Sequence, residues 1–166
     1  MNRRQISALL ILKELGIGYK MESFADRLSV QKSLYLAQAA GVDLGHYYNW
    51  YLRGPYSPTV TQDIFDAIEN YDVATQIKEW ELDQKTREGL SKLSTSFQPK
   101  EETAQPDWLE LLASVHFLVK RQQVSTANPL ALKSKLESYS KFFSEKQVSA
   151  ALQQLQAAEL LPATHA

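Results

Sequence analysis

The chain of 166 residues contains no cysteine, and this absence removes several kinds of chemistry at once. Disulfide bonds, thiolate metal sites and cysteine nucleophiles are excluded, and residence in the cytoplasm is the expectation. Long apolar runs are also missing, because the stretch SALLILKEL is interrupted by Lys13 and Glu14. A membrane span needs about 18 consecutive apolar residues, so no membrane partner is predicted. The N-terminal stretch lacks the cleavage site of a signal peptide and is interpreted as a first helix.

What is present is ordinary for a globular protein, with 44% hydrophobic and 22% charged residues. A chain of this length typically forms one domain. We therefore expect residues 1–166 to form a single domain made of two closely packed halves, about 1–97 and 107–162. The polar loop 98–106, with the sequence QPKEETAQP, is predicted to join them.

The net charge of −1 hides an uneven distribution. Residues 1–60 and 111–166 each carry an excess of three positive charges, whereas residues 61–110 carry 5 basic and 12 acidic residues. Such a layout can orient a partner, but it is also compatible with an ordinary solvated surface. No cluster of lysine and arginine is dense enough to indicate nucleic acid by itself.

Helical periodicity dominates the chain. Apolar residues recur at helical spacing in several segments that begin at capping residues or end at glycine or proline. The predicted fold class is therefore mainly α, with six to seven helices and one short β-strand or hairpin. The predicted helices lie at about 4–15, 26–40, from Pro58, 83–97, 107–122, from Pro129 to about 139, and from Ser144 onwards.

The stretch WYLRGPYSP, residues 50–58, departs from this periodicity. From His46 to Arg53 the residues alternate, which predicts a strand with Tyr48, Trp50 and Leu52 on the inner face. We interpret Gly54-Pro55 as the end of the strand and Ser57-Pro58 as the start of the next helix.

No catalytic set is recognisable. The three histidines are isolated, and His46 beside Asp43 lacks the third ligand of a metal site. No nucleophile elbow or phosphate-binding glycine loop occurs. We therefore predict a non-enzymatic protein without cofactor or metal. An alternative is an enzyme whose site gathers Lys32, Tyr35, His46 and Arg53, which requires that these side chains converge in one pocket.

Two regions could bind a macromolecule. Aromatic and arginine side chains are typical of the strongest contacts in protein interfaces, and they concentrate around the predicted strand. The predicted partner-binding residues are Lys32, Tyr35, Tyr47, Tyr51, Arg53, Gly54, Pro55, Tyr56 and Ser57.

The second region is the C-terminal pair of helices, which is similar in layout to a helix-turn-helix. Glutamine can pair with adenine edges, so Lys146, Gln147, Gln153 and Gln154 are possible DNA-binding residues. A winged-helix DNA-binding transcriptional regulator is thus the alternative to a protein-interaction module.

Two motifs carry a family resemblance. The segment Val30 to Leu36, VQKSLYL, is followed by the aromatic stretch that ends at Arg53 to Pro58, RGPYSP. Together with WLELLASVHFLVK and FSEKQVSAALQQL, they resemble the YwgA-like group of uncharacterised bacterial and archaeal proteins. The likeness spans about residues 5–160, and more distantly the chain resembles the Panacea (SocA-like) antitoxin domain.

The resemblance implies a helical, winged-helix-like fold. It also implies a role as an antitoxin, an adaptor or a defence-associated regulator, with a toxin or another operon-encoded protein as partner. The valine at position 30 and the extended corner Gly54 to Pro58 favour the YwgA-like branch.

Overall fold

A computed structural model describes residues 1–122, 124–125 and 128–162. The described residues form eight helices and one antiparallel hairpin, which confirms the mainly α class with a short β element. In chain order the elements are α1 (Arg3–Glu14), α2 (Phe24–Ala39), β1 (Asn49–Tyr51), β2 (Gly54–Tyr56), α3 (Pro58–Asn70), α4 (Val73–Ile77), α5 (Gln84–Ser96), α6 (Gln105–Gln122), α7 (Pro129–Ser138) and α8 (Glu145–Ala157).

Local capping explains where the helices begin. Ser144 and Gln147 form the predicted capping box of α8, in which each side chain bonds to the other's backbone N–H. Helix α2 begins two residues earlier than expected, because Ser23 is its N-cap and Asp26 is the reciprocal partner. The short helix α4, capped by Asp72, lies between two of the predicted helices, in a segment for which no helix was predicted.

Helix α6 is the centre of the molecule. It packs against α2, α7, α8 and β2, and the Trp108 indole N–H donates to the Ser96 carbonyl of α5 at 2.8 Å. The buried apolar side chains form one connected cluster with members on both sides of loop 98–106. The site described below lies where α2 and α6 meet the hairpin.

Candidate functional site: a hairpin held by buried charges

The stretch WYLRGPYSP forms most of a β-hairpin. Strands β1 and β2 pair antiparallel with Tyr51 opposite Gly54, so Leu52 and Arg53 form a two-residue turn. Our interpretation of Gly54-Pro55 as the end of the strand was wrong, since these residues begin β2. Leu52 was also placed wrongly on the inner face: it lies at the tip and is 92% exposed.

Gly54 is the residue that allows this hairpin to lie against α6. Its φ of +94° falls in the left-handed region, which favours glycine. A Cβ at this position would lie 2.5 Å from the Ser114 Oγ of α6. Both the backbone conformation and the close approach therefore require glycine here.

Two lysines donate hydrogen bonds to the hairpin backbone. The Lys32 ammonium of α2 donates to the Pro55 carbonyl at 2.5 Å, and the side chain is only 1% exposed. Lys141, in the segment between α7 and α8, donates to the Leu52 carbonyl at 2.7 Å. Each lysine thus satisfies one carbonyl that the two-stranded ladder leaves free.

The carboxylate of Glu110 on α6 binds two basic side chains at the hairpin. It accepts from Arg53 Nε at 2.8 Å, from Arg53 Nη2 at 3.2 Å and from Lys141 Nζ at 3.1 Å. Glu110 and Lys141 are both buried. We call Lys32, Arg53, Glu110 and Lys141 the charge cluster.

The charge cluster contains three basic groups and one carboxylate. Burial lowers the pKa of Lys32 to about 7, against the opposing effect of Glu110, and the cations of Lys141 and Arg53 add to the lowering. Burial also lowers the pKa of Lys141, again opposed by Glu110. A second carboxylate, Asp107, lies 3.5 Å from Arg53 Nη2 but is exposed.

Next to the charge cluster, apolar side chains of the hairpin, of α2 and of the segment between α7 and α8 are exposed to solvent. Leu52, Phe142, Phe24 and Tyr51 are 92%, 77%, 55% and 45% exposed. The Arg53 guanidinium lies over the Phe24 ring at 5.4 Å, while Leu52 and Phe142 line the same groove of about 430 Å³. We call Phe24, Tyr51, Leu52, Arg53 and Phe142 the tip surface.

The structure divides the predicted partner-binding residues into two groups. Exposed residues are Tyr47, Tyr51 and Arg53, and Tyr56 is half-buried against Tyr51 with 5.1 Å between the ring centroids. The remaining residues are buried: Lys32, Tyr35, Gly54, Pro55 and Ser57. Of these, Ser57 is bound at both backbone groups by the Gln31 amide.

The side chains of the alternative enzyme hypothesis have separate partners. The Tyr35 hydroxyl bonds to His116 Nδ1 at 2.7 Å, whereas His46 Nδ1 bonds to Thr59 Oγ1 at 2.8 Å. Lys32 bonds to the hairpin backbone, and Arg53 to Glu110. These four side chains do not share a hydrogen-bonded network in the described part of the chain. His165 lies outside the described residues.

The possible DNA-binding residues are on α8, but they are not equally free. Lys146 and Gln153 are exposed, and Gln154 is half-buried. The Gln147 amide is occupied, since its oxygen accepts from the Ser144 N–H and its nitrogen donates to Thr103 Oγ1 at 3.1 Å.

Sequence reasoning missed Phe24, Glu110, Lys141 and Phe142. The position of Glu110 between Leu109 and Leu111, in the most apolar part of α6, was a usable signal, because a buried charge needs a partner. Lys141 carried no such signal, since it joins the hairpin across 89 residues of sequence.

Within residues 1–122, 124–125 and 128–162, no group of three or more histidine, aspartate or glutamate side chains could hold a metal ion. No helix among these residues is long and apolar enough to cross a membrane. No protein-family model, curated protein or solved structure matches the chain. The likeness to the YwgA-like group therefore stays a prediction.

Proposed function

We propose that this chain is a non-enzymatic protein-interaction module that binds a folded protein through the tip surface. The observation that carries the proposal is the exposure of Phe24, Tyr51, Leu52 and Phe142 around one hairpin tip. Apolar patches of this kind on soluble proteins mark interaction sites. Aromatic and arginine side chains are also the ones that contribute most to binding energy.

The charge cluster supports this proposal by fixing the conformation of the tip. Lys141 bonds to the backbone of the turn at Leu52, and Lys32 bonds to the backbone of β2 at Pro55. Glu110 binds the Arg53 side chain of the turn. A surface that is already ordered loses less conformational entropy when a partner binds. The buried part of the predicted site thus serves the exposed part.

At the family level, we propose an antitoxin, adaptor or defence-associated role in the cytoplasm, with a toxin or another operon-encoded protein as partner. These proposals rest on the resemblance of VQKSLYL and RGPYSP to the YwgA-like and Panacea groups. A winged-helix regulator has weaker support, because Lys146 is the sole basic residue on α8 and the Gln147 amide is occupied.

The experiment is purification of the tagged chain from its source organism at moderate salt. We expect a protein to co-purify in stoichiometric amount. The ultraviolet absorbance ratio of the complex should show that it contains no nucleic acid. The double variant Leu52→Ser, Phe142→Ser, purified in the same way, should no longer retain that protein. Leu130→Ser is the matched control, because Leu130 is also exposed but lies on α7.

Two results would overturn the proposal. One is a partner that the Leu52→Ser, Phe142→Ser variant retains in full while the chain remains folded. The other is bound nucleic acid that dissociates steeply with salt and no protein partner, which is the behaviour of a DNA-binding regulator.

A further inference from the structure

A second recess lies away from the hairpin. It is a groove of about 1050 Å³ between α1, the turn that follows α2, the segment before α5, α5 itself and the residues after α8. Apolar side chains line it from α1, from the turn after α2, from the segment before α5 and from the residues after α8, among them Ile6, Leu10, Val42, Leu82 and Leu160. Helix α5 contributes only polar side chains and Gly89. Pockets for small molecules usually measure about 300–1000 Å³. The groove lies at the upper end of this range, so it also has room for a polypeptide segment.

Two residues of the groove have no evident role in the fold. Trp80 is 52% exposed, although tryptophan side chains are on average largely buried. Gly89 lies inside α5, where an added Cβ would meet no atom closer than the Ala40 carbonyl oxygen at 3.9 Å. Glycine weakens a helix interior relative to alanine, and here neither φ nor crowding requires it. An occupant that approaches α5 closely accounts for both features.

The charges around the groove favour a basic occupant. Five carboxylates line the groove, against the three basic side chains of Arg3, Lys85 and Lys92. Lys92 is already paired with Glu159 at 2.8 Å. The other four carboxylates are those of Asp43, Glu81, Asp83 and Glu88. Of these, Glu81 pairs with Arg87 at 3.0 Å. A rim of this sign repels phosphates of nucleic acids and anionic lipids and attracts lysine and arginine.

The walls of the groove determine the form of the occupant. They consist of helices and connecting segments, and neither strand of the hairpin lines them. Recognition by strand addition needs a free sheet edge, whereas an amphipathic helix needs an apolar groove. We propose that this groove binds an amphipathic helix of a partner protein, with an apolar face that is flanked by lysine and arginine.

The test uses a fluorescein-labelled peptide of about 14 residues, with leucine at helical spacing and lysine elsewhere. Fluorescence anisotropy should show saturable binding of this peptide, and a version with glutamate in place of lysine should bind at least tenfold more weakly. Gly89→Leu places a side chain in the groove, where its Cβ would lie 3.9 Å from the Ala40 carbonyl oxygen. We expect a folded variant whose affinity falls at least tenfold. Ser91→Leu is the matched control, because Ser91 is exposed on α5 outside the groove.

Two results would overturn the inference. The lysine peptide could bind Gly89→Leu and the original chain equally well. Alternatively, sedimentation could show a dimer that Gly89→Leu dissociates, which would assign the groove to a second copy of the chain. The double variant Leu52→Ser, Phe142→Ser should bind the peptide normally, so a failure here is distinguishable from a failure of the tip surface.

Discussion

Glu110 is the residue whose replacement tests the charge cluster most sharply. Glu110→Gln keeps the shape of the side chain but removes the carboxylate that accepts from Lys141 at 3.1 Å and from Arg53 at 2.8 Å. Breaking a buried ion pair by removal of one partner costs about 3–5 kcal/mol, since the other charge stays buried. The Arg53 side chain is half-exposed, so the Lys141 pair accounts for most of the loss.

We therefore expect Glu110→Gln to lower the free energy of unfolding by about 3 kcal/mol. The assay is urea unfolding at pH 7 with an unchanged m-value. For a chain of this size, the corresponding decrease in Tm is about 6–12 °C. Asp107→Asn is the matched control: this carboxylate also faces Arg53, at 3.5 Å, but it is exposed and should cost less than about 1 kcal/mol.

A double-mutant cycle separates the pair from the rest of the site. The double variant Glu110→Gln, Lys141→Met should lose less free energy of unfolding than the sum of the losses of the two single variants. The expected coupling energy is about 1–3 kcal/mol. If the free energy of unfolding of Glu110→Gln lies within about 1 kcal/mol of that of the original chain, the buried pair does not fix the hairpin. That result would contradict the prediction.

Three further predictions concern the same region and the core beneath it. Gly54→Ala should lower the free energy of unfolding by about 2–3 kcal/mol. Adding Ser114→Ala should recover part of that loss, because the Ser114 Oγ is the one atom that would lie at 2.5 Å from the new Cβ. Urea unfolding measures both changes. The pKa of Lys32 is about 7 in the folded chain and 10.5 in the unfolded chain. Between these pH values the unfolded chain binds more protons, so the free energy of unfolding should rise with pH from 7 towards 10. Unfolding at pH 7, 8 and 9 checks this, and a rise unchanged in Lys32→Met would contradict it. The pKa of His116 is lowered by burial to about 4, so stability should fall as pH decreases from 6.5 to 4; a fall equally steep in His116→Gln would contradict the assignment.

The helices could be predicted because their signals are local. Apolar periodicity and capping residues located α1, α6 and α8 to within a few residues, and Ser144 with Gln147 formed the expected box. The hairpin was predicted less well, because Pro55 read as the end of a strand. Proline is tolerated in this two-stranded ladder, where the N–H that it lacks need not meet a third strand.

The candidate site depends on contacts that no local pattern encodes. Lys141 reaches Glu110 across 31 residues of sequence, and Tyr35 reaches His116 across 81. The aromatic and charged residues of WYLRGPYSP indicated the region in which the structure places the hairpin and the charge cluster. Which of them are buried and which face solvent followed only from the packing of α2 and α6 against the turn.

The most direct test of the tip surface is the dissociation constant of the co-purified partner for three chains, measured by calorimetry: the original, the double variant Leu52→Ser, Phe142→Ser, and Leu130→Ser. Interface side chains that dominate binding each contribute about 2 kcal/mol or more, which corresponds to at least a thirtyfold loss. The account predicts a loss of that size for the double variant and none for Leu130→Ser. Equal affinity of all three folded chains would contradict it.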